Sequence, residues 1–254
     1  MKLLKAMAIA FSIYSKIPVP QFEWKEEDME YMMCFFPWIG GVIGLFFFGW
    51  AVLCEKFAVG NVCYALIGAA IPLMISGGFH VDGYMDTMDA FHSYQSREKK
   101  LEILKDSHIG AFAAIMLALY YMIDIAAISE IHTQKAVSAL AAVFFLARCF
   151  SGIAVMTLQP AKKEGLLYTF ASSAQKVRVK AALYFQAALC VVLMLLVSGW
   201  YGAAAIGAAL LSFFYFKKKS YKELGGITGD TAGFFVTVCE AAAAVAVAVA
   251  GYFL

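Results

Sequence analysis

Charge is scarce in this sequence. Only 15% of its 254 residues are Asp, Glu, Lys or Arg, against about a quarter in soluble domains, while 63% are hydrophobic and the mean hydropathy is +0.76. A soluble domain is excluded and an integral membrane protein is indicated. Metal-type cysteine spacing is missing as well. The six cysteines, Cys34, Cys54, Cys63, Cys149, Cys190 and Cys239, lie almost wholly in apolar runs with no CxxC or Cys/His pattern. That argues against a zinc module or a disulfide framework and leaves them as small packing residues. Period-two alternation is absent from the long apolar runs, which excludes a β-barrel, the other structure that satisfies its backbone in hydrocarbon. There is no long linker, low-complexity tract or internal repeat of the kind many transporters carry, so residues 1–254 read as a single integral-membrane domain.

What is present is a series of apolar runs near the roughly 20 residues that a helix needs to cross a bilayer. About seven spans are expected, near residues 31–54, 62–79, 109–130, 136–158, 181–199, 200–216 and 233–254, the sixth being the weakest. The predicted fold is all-α, a polytopic membrane helix bundle. The opening MKLLKAMAIAFSIYSKIPVP has a brief apolar part, no small-residue cleavage motif and two prolines at its end. It is expected to be a retained interfacial helix rather than a signal peptide.

The net charge of +2 says little, because in a membrane protein its distribution matters more than its sum. Lys and Arg number four before the first expected span, then one, four, one, five, none and four in the successive loops, with Arg148 inside span four. Seventeen of the twenty basic residues therefore fall on one side. The positive-inside rule makes that side cytoplasmic, with the N-terminus in and the C-terminus out. SKIPVP at 15–20, the 80–110 segment and GGITGDTAGF at 225–234 all lie on it. One shared active face is expected.

The segment HVDGYMDTMDAF, residues 80–91, carries Asp82, Asp86 and Asp89 at i, i+4, i+7. A helix would hold the three within roughly 60° of one another on one face. Carboxylates so close repel unless a cation lies between them, and clustered hard oxygens suit Mg²⁺ or Mn²⁺ bridging to substrate phosphates. The plainer alternative is a solvated acidic face. Against it, Phe79, Met85, Met88 and Phe91 make the helix amphipathic, and Gly77, Gly78 and Gly83 permit close backbone approach. His80 would orient a carboxylate or phosphate, or be an interfacial histidine with no special role.

Further along, SREKKLEILKDSHIGAF (96–112) reads mostly as a solvated, salt-bridged helix. Lys105 and Asp106 stand out because they sit at a membrane entrance, where a basic residue can meet phosphate and an acid can meet metal. Asp124, Arg148 and Glu240 lie within spans, where charges are costly and face a protein interior or cavity. Arg148 suits bidentate phosphate binding, and the alternative is a structural pair with Asp124 or Glu240. GGITGDTAGF places Thr228, Gly229 and Asp230 where they can cap the last helix and present N–H groups to an anion.

Together FSIYSKIPVP, GGFHVDGYMDTMDAF, REKKLEILKDSHIGAF, an intramembrane LAR and GGITGDTAGF, in this order over nearly the whole chain, resemble the cobalamin synthase family of adenosylcobinamide-GDP ribazoletransferases. The resemblance implies a prokaryotic, multi-pass cell-membrane enzyme that is Mg²⁺-dependent. It would pass the adenosylcobinamide-phosphoryl group from adenosylcobinamide-GDP to α-ribazole or α-ribazole 5′-phosphate, releasing GMP. By motif match His80, Asp82, Asp86 and Asp89 belong to the first signature, Lys105, Asp106 and Gly110 to the second, and Gly229, Asp230 and Gly233 to the last. The expected catalytic residues are Asp82, Asp86, Asp89 and Asp106, the first three also as metal ligands. Lys16, His80, Lys105, Arg148, Thr228, Gly229 and Asp230 are expected to bind substrate. Lys16 stands where the family carries arginine or another polar residue, and Tyr84 and Met85 replace smaller residues. The expected partners are the two substrates and the lipid bilayer, with no nucleic acid, and a homo-oligomer is left open.

The chemistry of the residues fits without the resemblance. Phosphoryl transfer needs positioning and charge neutralisation, which a carboxylate-held metal and nearby basic side chains supply. An ion- or proton-coupled transporter is the rival reading, resting on Asp124, Arg148 and Glu240. It would call for inverted repeats and midplane charge, whereas the acid-rich motifs gather on one face.

Overall fold

Apolar runs fold as helices because hydrocarbon offers the backbone no hydrogen-bond partner but itself. The computed structural model describes residues 2–20, 23, 25–162, 166–172 and 175–253. Among them the α-helices run α1 Lys2–Tyr14, α2 Phe36–Lys56, α3 Asn61–Ser76, α4 Phe79–His92, α5 Arg97–Ile103, α6 Ala111–Ile128, α7 Gln134–Thr157, α8 Leu166–Ser172, α9 Lys176–Ser198, α10 Trp200–Leu224 and α11 Gly229–Gly251. No strand occurs among the described residues beyond one bridge between Pro160 and Ile227.

Five helices, α2, α6, α7, α9 and α11, are long and apolar enough to cross a membrane, and a sixth crossing results if α3 and α4 count as one broken span. The expected second span, 62–79, does not run through as one helix. At about 1.5 Å per residue the 16 residues of α3 reach about 24 Å, short of a core of roughly 30 Å. The chain then turns by 96° into α4. Gly77 (φ 68°) and Gly78 (φ 86°) make that turn in the left-handed region, which side chains with a Cβ enter at a cost. The expected sixth span is the first part of α10, which is 25 residues long but ends in a basic stretch holding Lys217, Lys218, Lys219 and Lys222.

α7 and α11 bury most of their residues and form the centre, while α6 and α9 leave most of theirs to the outside. Small residues make the central contacts close. Gly40 and Gly44 let α2 lie on α7, where a Cβ would stand 2.0 Å from the Phe144 carbonyl oxygen and 2.2 Å from that of Ala141. α11 contributes a run of alanines, of which Ala243 and Ala244 are fully buried.

The polar segments meet at one end of the bundle. Lys16 donates its N–H to the Ile75 carbonyl at 2.8 Å and lays its stem over Gly77, so SKIPVP packs on the α3–α4 turn. Lys100 of α5 is ion-paired with Glu223 of α10, which also holds Lys219 at 3.1 Å. The α10–α11 turn is pinned to the chain leaving α7: Ile227 N–H donates to Gln159 (2.9 Å) and Ala161 N–H donates to Ile227 (2.8 Å). At the opposite end Asn61 bonds the Ser129 carbonyl (3.1 Å) and Tyr252 bonds Glu130 (2.9 Å).

Candidate active site

α11 begins where its sequence says it should. Thr228 is the N-cap: its hydroxyl accepts from Thr231 N–H at 3.2 Å, and the Thr231 hydroxyl accepts from Thr228 N–H at 2.8 Å. This reciprocal cap satisfies two orphan donors and fixes the first turn, which carries Gly229 and Asp230. The Thr228 hydroxyl also lies 3.4 Å from the Asp230 carboxylate.

That first turn rests on α4 at Gly83. A Cβ at Gly83 would stand 2.8 Å from the Asp230 carbonyl oxygen and 3.0 Å from its Cα. The absent side chain is therefore what brings Asp230 beside the acidic face. Asp82 is exposed and Asp86 half-buried, and the charges of Asp82, Asp230 and Asp89 all bear on Asp86. The expected stripe exists, and tertiary packing adds Asp230 to it.

Asp89 has another occupation. Its two carboxylate oxygens accept from Gly110 N–H (2.6 Å) and Ala113 N–H (2.8 Å), capping the start of α6. Gly110 sits against that carboxylate, where a Cβ would lie 2.5 Å from an oxygen. The segments 80–91 and 96–112 thus meet through a helix cap. Among the described residues no group of three or more His, Cys, Asp or Glu is arranged to hold a metal ion. Mg²⁺ nevertheless needs only one or two protein carboxylates, with substrate phosphates and water completing its shell. Asp82 and Asp86, one turn apart with neither drawn into a buried ion pair, suit that role.

Two cavities flank the start of α4, with Phe79 lining both. One, of about 470 Å³, is bounded by His80, Lys105, Lys162, Thr228, Gly229 and Asp230 together with aromatic side chains. The other, of about 530 Å³, is bounded by Lys16, Gly77, Gly78, Asp82 and Met85 among others. Both volumes lie in the range of small-molecule sites. His80 is 5% exposed, and neither of its ring nitrogens has a hydrogen-bond partner. Thr237 instead donates to the His80 backbone carbonyl (3.2 Å), locking α4 onto α11.

Lys16, His80, Lys105, Thr228, Gly229 and Asp230 thus come to the cavities, as does Asp82. Asp106 does not. It is exposed in the loop before α6, where the His108 side chain (2.6 Å) and N–H (3.0 Å) bond one carboxylate oxygen. These bonds hold its carboxyl below the ordinary range, so it stays ionised. Arg148 also stands apart. It is 1% exposed, donates to Glu240 at 2.7 Å and to the Phe144 carbonyl at 2.7 Å, and lines neither cavity. An anion reaching it would have to displace Glu240. Asp124 is likewise buried in the bundle, away from both cavities. Replacing Arg148 by Met is expected to destabilise the protein by about 3–5 kcal/mol, because Glu240 would stay buried without its partner. Arg148→Met combined with Glu240→Gln should recover most of that loss in thermal unfolding. A single variant as stable as wild type would remove the structural role.

Sequence reasoning missed Lys162, Tyr14 and Phe36. Lys162 lies close enough to act electrostatically on Asp230, and its ammonium donates to the Leu101 carbonyl at 3.0 Å. The signal was available, because Lys162 follows an expected span just as Lys105 precedes one. Tyr14 and Phe36 had none: each looks like one more apolar residue among many. The glycines of the last motif divide by role. Gly225 (φ 71°) ends α10 and Gly226 packs on the 159–161 backbone, whereas Gly229 has nothing within 4 Å of where a Cβ would stand.

The cobalamin-5-phosphate synthase family matches residues 6–248 of the chain. A bacterial protein named adenosylcobinamide-GDP ribazoletransferase from Lachnoclostridium phytofermentans is 44% identical over 250 residues, covering 98% of this chain and 95% of the relative. Proteins of the same name from Clostridium botulinum (strain Alaska E43) and Geotalea daltonii are 31% and 30% identical, covering 94% and 91% of this chain and 94% and 92% of theirs. No solved structure matches. These relatives carry an enzyme's name, and the transporter alternative finds no support among them.

Proposed function

This chain belongs to the cobalamin-5-phosphate synthase family, and we propose that it acts as an adenosylcobinamide-GDP ribazoletransferase at the membrane. It transfers the adenosylcobinamide-phosphoryl group to α-ribazole or α-ribazole 5′-phosphate and releases GMP. The observation that carries the site is the seating of Asp230 on Gly83, which places a cavity-lining carboxylate beside the acidic face of α4. A hydroxyl of the ribazole ribose attacks the phosphorus that bears cobinamide. The bond from that phosphorus to the GMP oxygen breaks, and Asp230 takes the hydroxyl proton. Lys105 and Lys162 line the same cavity and draw the anionic groups toward it.

Asp82 and Asp86 would hold Mg²⁺, which when bound neutralises phosphate charge and makes GMP a better leaving group. Asp89 serves by holding the start of α6, and with it the Lys105 loop, against α4. The site faces the cytoplasm of a prokaryotic cell. Support comes from the seventeen basic residues on one side of the chain, the side on which all the site motifs fall.

The test is direct. Purified protein in lipid, given adenosylcobinamide-GDP, α-ribazole 5′-phosphate and Mg²⁺, is expected to release GMP and form the phosphodiester-linked corrinoid. Unchanged corrinoid with no GMP would overturn the assignment.

A further inference from the structure

The 530 Å³ cavity gathers hydrogen-bond donors that proton transfer at Asp230 does not use. α4 starts at its edge, where Gly77, Gly78, Phe79, Val81 and Asp82 line the space. Gly78 is the N-cap and brings no side-chain hydrogen bond, so the first-turn N–H groups and the positive end of the helix dipole stay uncapped. Ser76, the last residue of α3, is 6% exposed, lines the cavity and has no hydrogen-bond partner among the described residues. Its oxygen is not sealed off as the His80 ring nitrogens are, and so keeps surface toward the cavity. A hydroxyl buried this far costs free energy unless something bonds it, which points to a ligand. Lys16 is the single basic residue among those lining the space. Its backbone is fixed by the bond to the Ile75 carbonyl and by the neighbouring Ser15 hydroxyl, which accepts from Ile17 N–H at 3.3 Å and donates to the Phe11 carbonyl at 2.6 Å. Gly77 seats the stem, since a Cβ there would stand 2.4 Å from Lys16 Cε. The stem is held in place while the ammonium has no ion-pair partner among the described residues. An ammonium, a free hydroxyl and an uncapped helix start on one space form the donor set of a phosphate site.

We infer that this cavity is the leaving-group subsite, where Lys16, the Ser76 hydroxyl and the first-turn N–H groups of α4 hold the phosphate that departs as GMP. The inference rests on the transferase reading and deepens it. In-line displacement puts the attacking and leaving oxygens on opposite sides of the phosphorus. Asp230, which receives the hydroxyl proton, lines the 470 Å³ cavity and not the other. The start of α4 stands between the two spaces, with Phe79 lining both, so the leaving oxygen falls on the Lys16 side. When the bond from the cobinamide-bearing phosphorus to that oxygen breaks, the oxygen keeps the electron pair. The GMP phosphate thereby gains a second negative charge, and donors fixed beside it favour the charge that appears only as the bond opens. Asp82 is the single acid among the lining residues. A carboxylate beside a phosphate repels it unless a cation lies between, which agrees with the cation-holding role of Asp82 and Asp86. A space of about 530 Å³ admits a mononucleotide. Leu73 and Phe79 at its mouth are 37% and 45% exposed, so a phospholipid headgroup offers the same phosphate chemistry from the bilayer. A headgroup diester carries one charge on its phosphate and GMP carries about two near neutral pH, which favours GMP on these donors.

The experiment measures equilibrium binding of radiolabelled GMP and of guanosine to the full chain in lipid nanodiscs, in EDTA and in Mg²⁺. Wild type is compared with Lys16→Gln, Lys16→Arg, Ser76→Ala and Ser76→Thr. Wild type is expected to bind GMP at least about tenfold more tightly than guanosine even in EDTA, because the donors belong to the chain. Lys16→Gln should lose about tenfold or more of the GMP affinity and Ser76→Ala about threefold or more, with guanosine binding unchanged. Lys16→Arg and Ser76→Thr, which keep the charge and the hydroxyl, should restore part of each loss. In turnover GMP should compete with the donor and not with the acceptor, and the acceptor KM of Lys16→Gln should stay within about twofold of wild type. Equal GMP affinity in wild type, Lys16→Gln and Ser76→Ala would overturn the subsite, and so would a large rise in acceptor KM with GMP affinity intact. Should Lys16→Gln fail to fold, the Ser76 pair carries the same test. Exchanging phosphatidylcholine for phosphatidylglycerol is expected to affect GMP binding equally with and without Lys16. A loss confined to protein that carries Lys16 would assign the donors to a lipid headgroup and overturn the inference. Wild type that binds GMP through Lys16 yet releases none from adenosylcobinamide-GDP would instead overturn the transferase reading and leave the phosphate site standing.

Discussion

Asp230→Asn protein is expected to release GMP about 10²- to 10⁴-fold more slowly than wild type, the usual range for removal of a positioned general base. Asparagine keeps the size of the side chain and can still meet the Thr228 hydroxyl, so α11 should start at the same place. What disappears is the capacity to take a proton from the attacking hydroxyl. The loss should appear in kcat, with the acceptor KM little changed, because asparagine preserves the side chain's volume and its place in the cavity wall. A near-normal kcat in Asp230→Asn would remove the general-base role. Gly83 offers an independent check on the geometry. Any side chain there would push on the Asp230 backbone, so the reaction should suffer although no functional group has been removed.

Asp82→Asn and Asp86→Asn are expected to lower turnover by about 10²-fold or more each at limiting Mg²⁺, by analogy with the loss of one preorganised charge-stabilising group. Neither carboxylate caps a helix or closes a buried ion pair, so the variants should insert and unfold like wild type. The loss should shrink as Mg²⁺ is raised, since a weakened site fills by mass action. Asp89→Asn should behave differently. It keeps one oxygen to accept from the start of α6 and surrenders the other, so its defect should include lower thermal stability and should not be relieved by Mg²⁺. Identical Mg²⁺ titrations for wild type, Asp82→Asn and Asp86→Asn would exclude these two residues as the cation's ligands.

Much of this site could be read along the chain because its signals are local. Helical period alone puts Asp82, Asp86 and Asp89 on one stripe. Thr228 and Asp230 ahead of an apolar run mark the start of α11, and the excess of Lys and Arg in alternate loops marks one shared end. The sequence left open what depends on a partner far away along the chain. Arg148 resembles an anion-binding group until Glu240, 92 residues on, is found beside it. Nothing local to Asp89 shows that its two oxygens accept from the N–H groups of Gly110 and Ala113 at the start of α6.

Composition, length of apolar runs and charge asymmetry by themselves determined the class of this protein: a helical membrane bundle with its polar motifs on one side. These properties follow from the solvent and the helix period, which act on each segment separately. Only the tertiary structure decided which carboxylates share a site, which charges neutralise one another and where a ligand can enter. Gly83 had to meet α11 before Asp230 could join Asp82 and Asp86. Likewise Tyr14, Phe36 and Phe79 had to converge from three helices before His80 became a buried imidazole packed behind the wall of a cavity. Burial and pairing are properties of contacts between elements, and no local pattern encodes a contact that the packing of other helices creates.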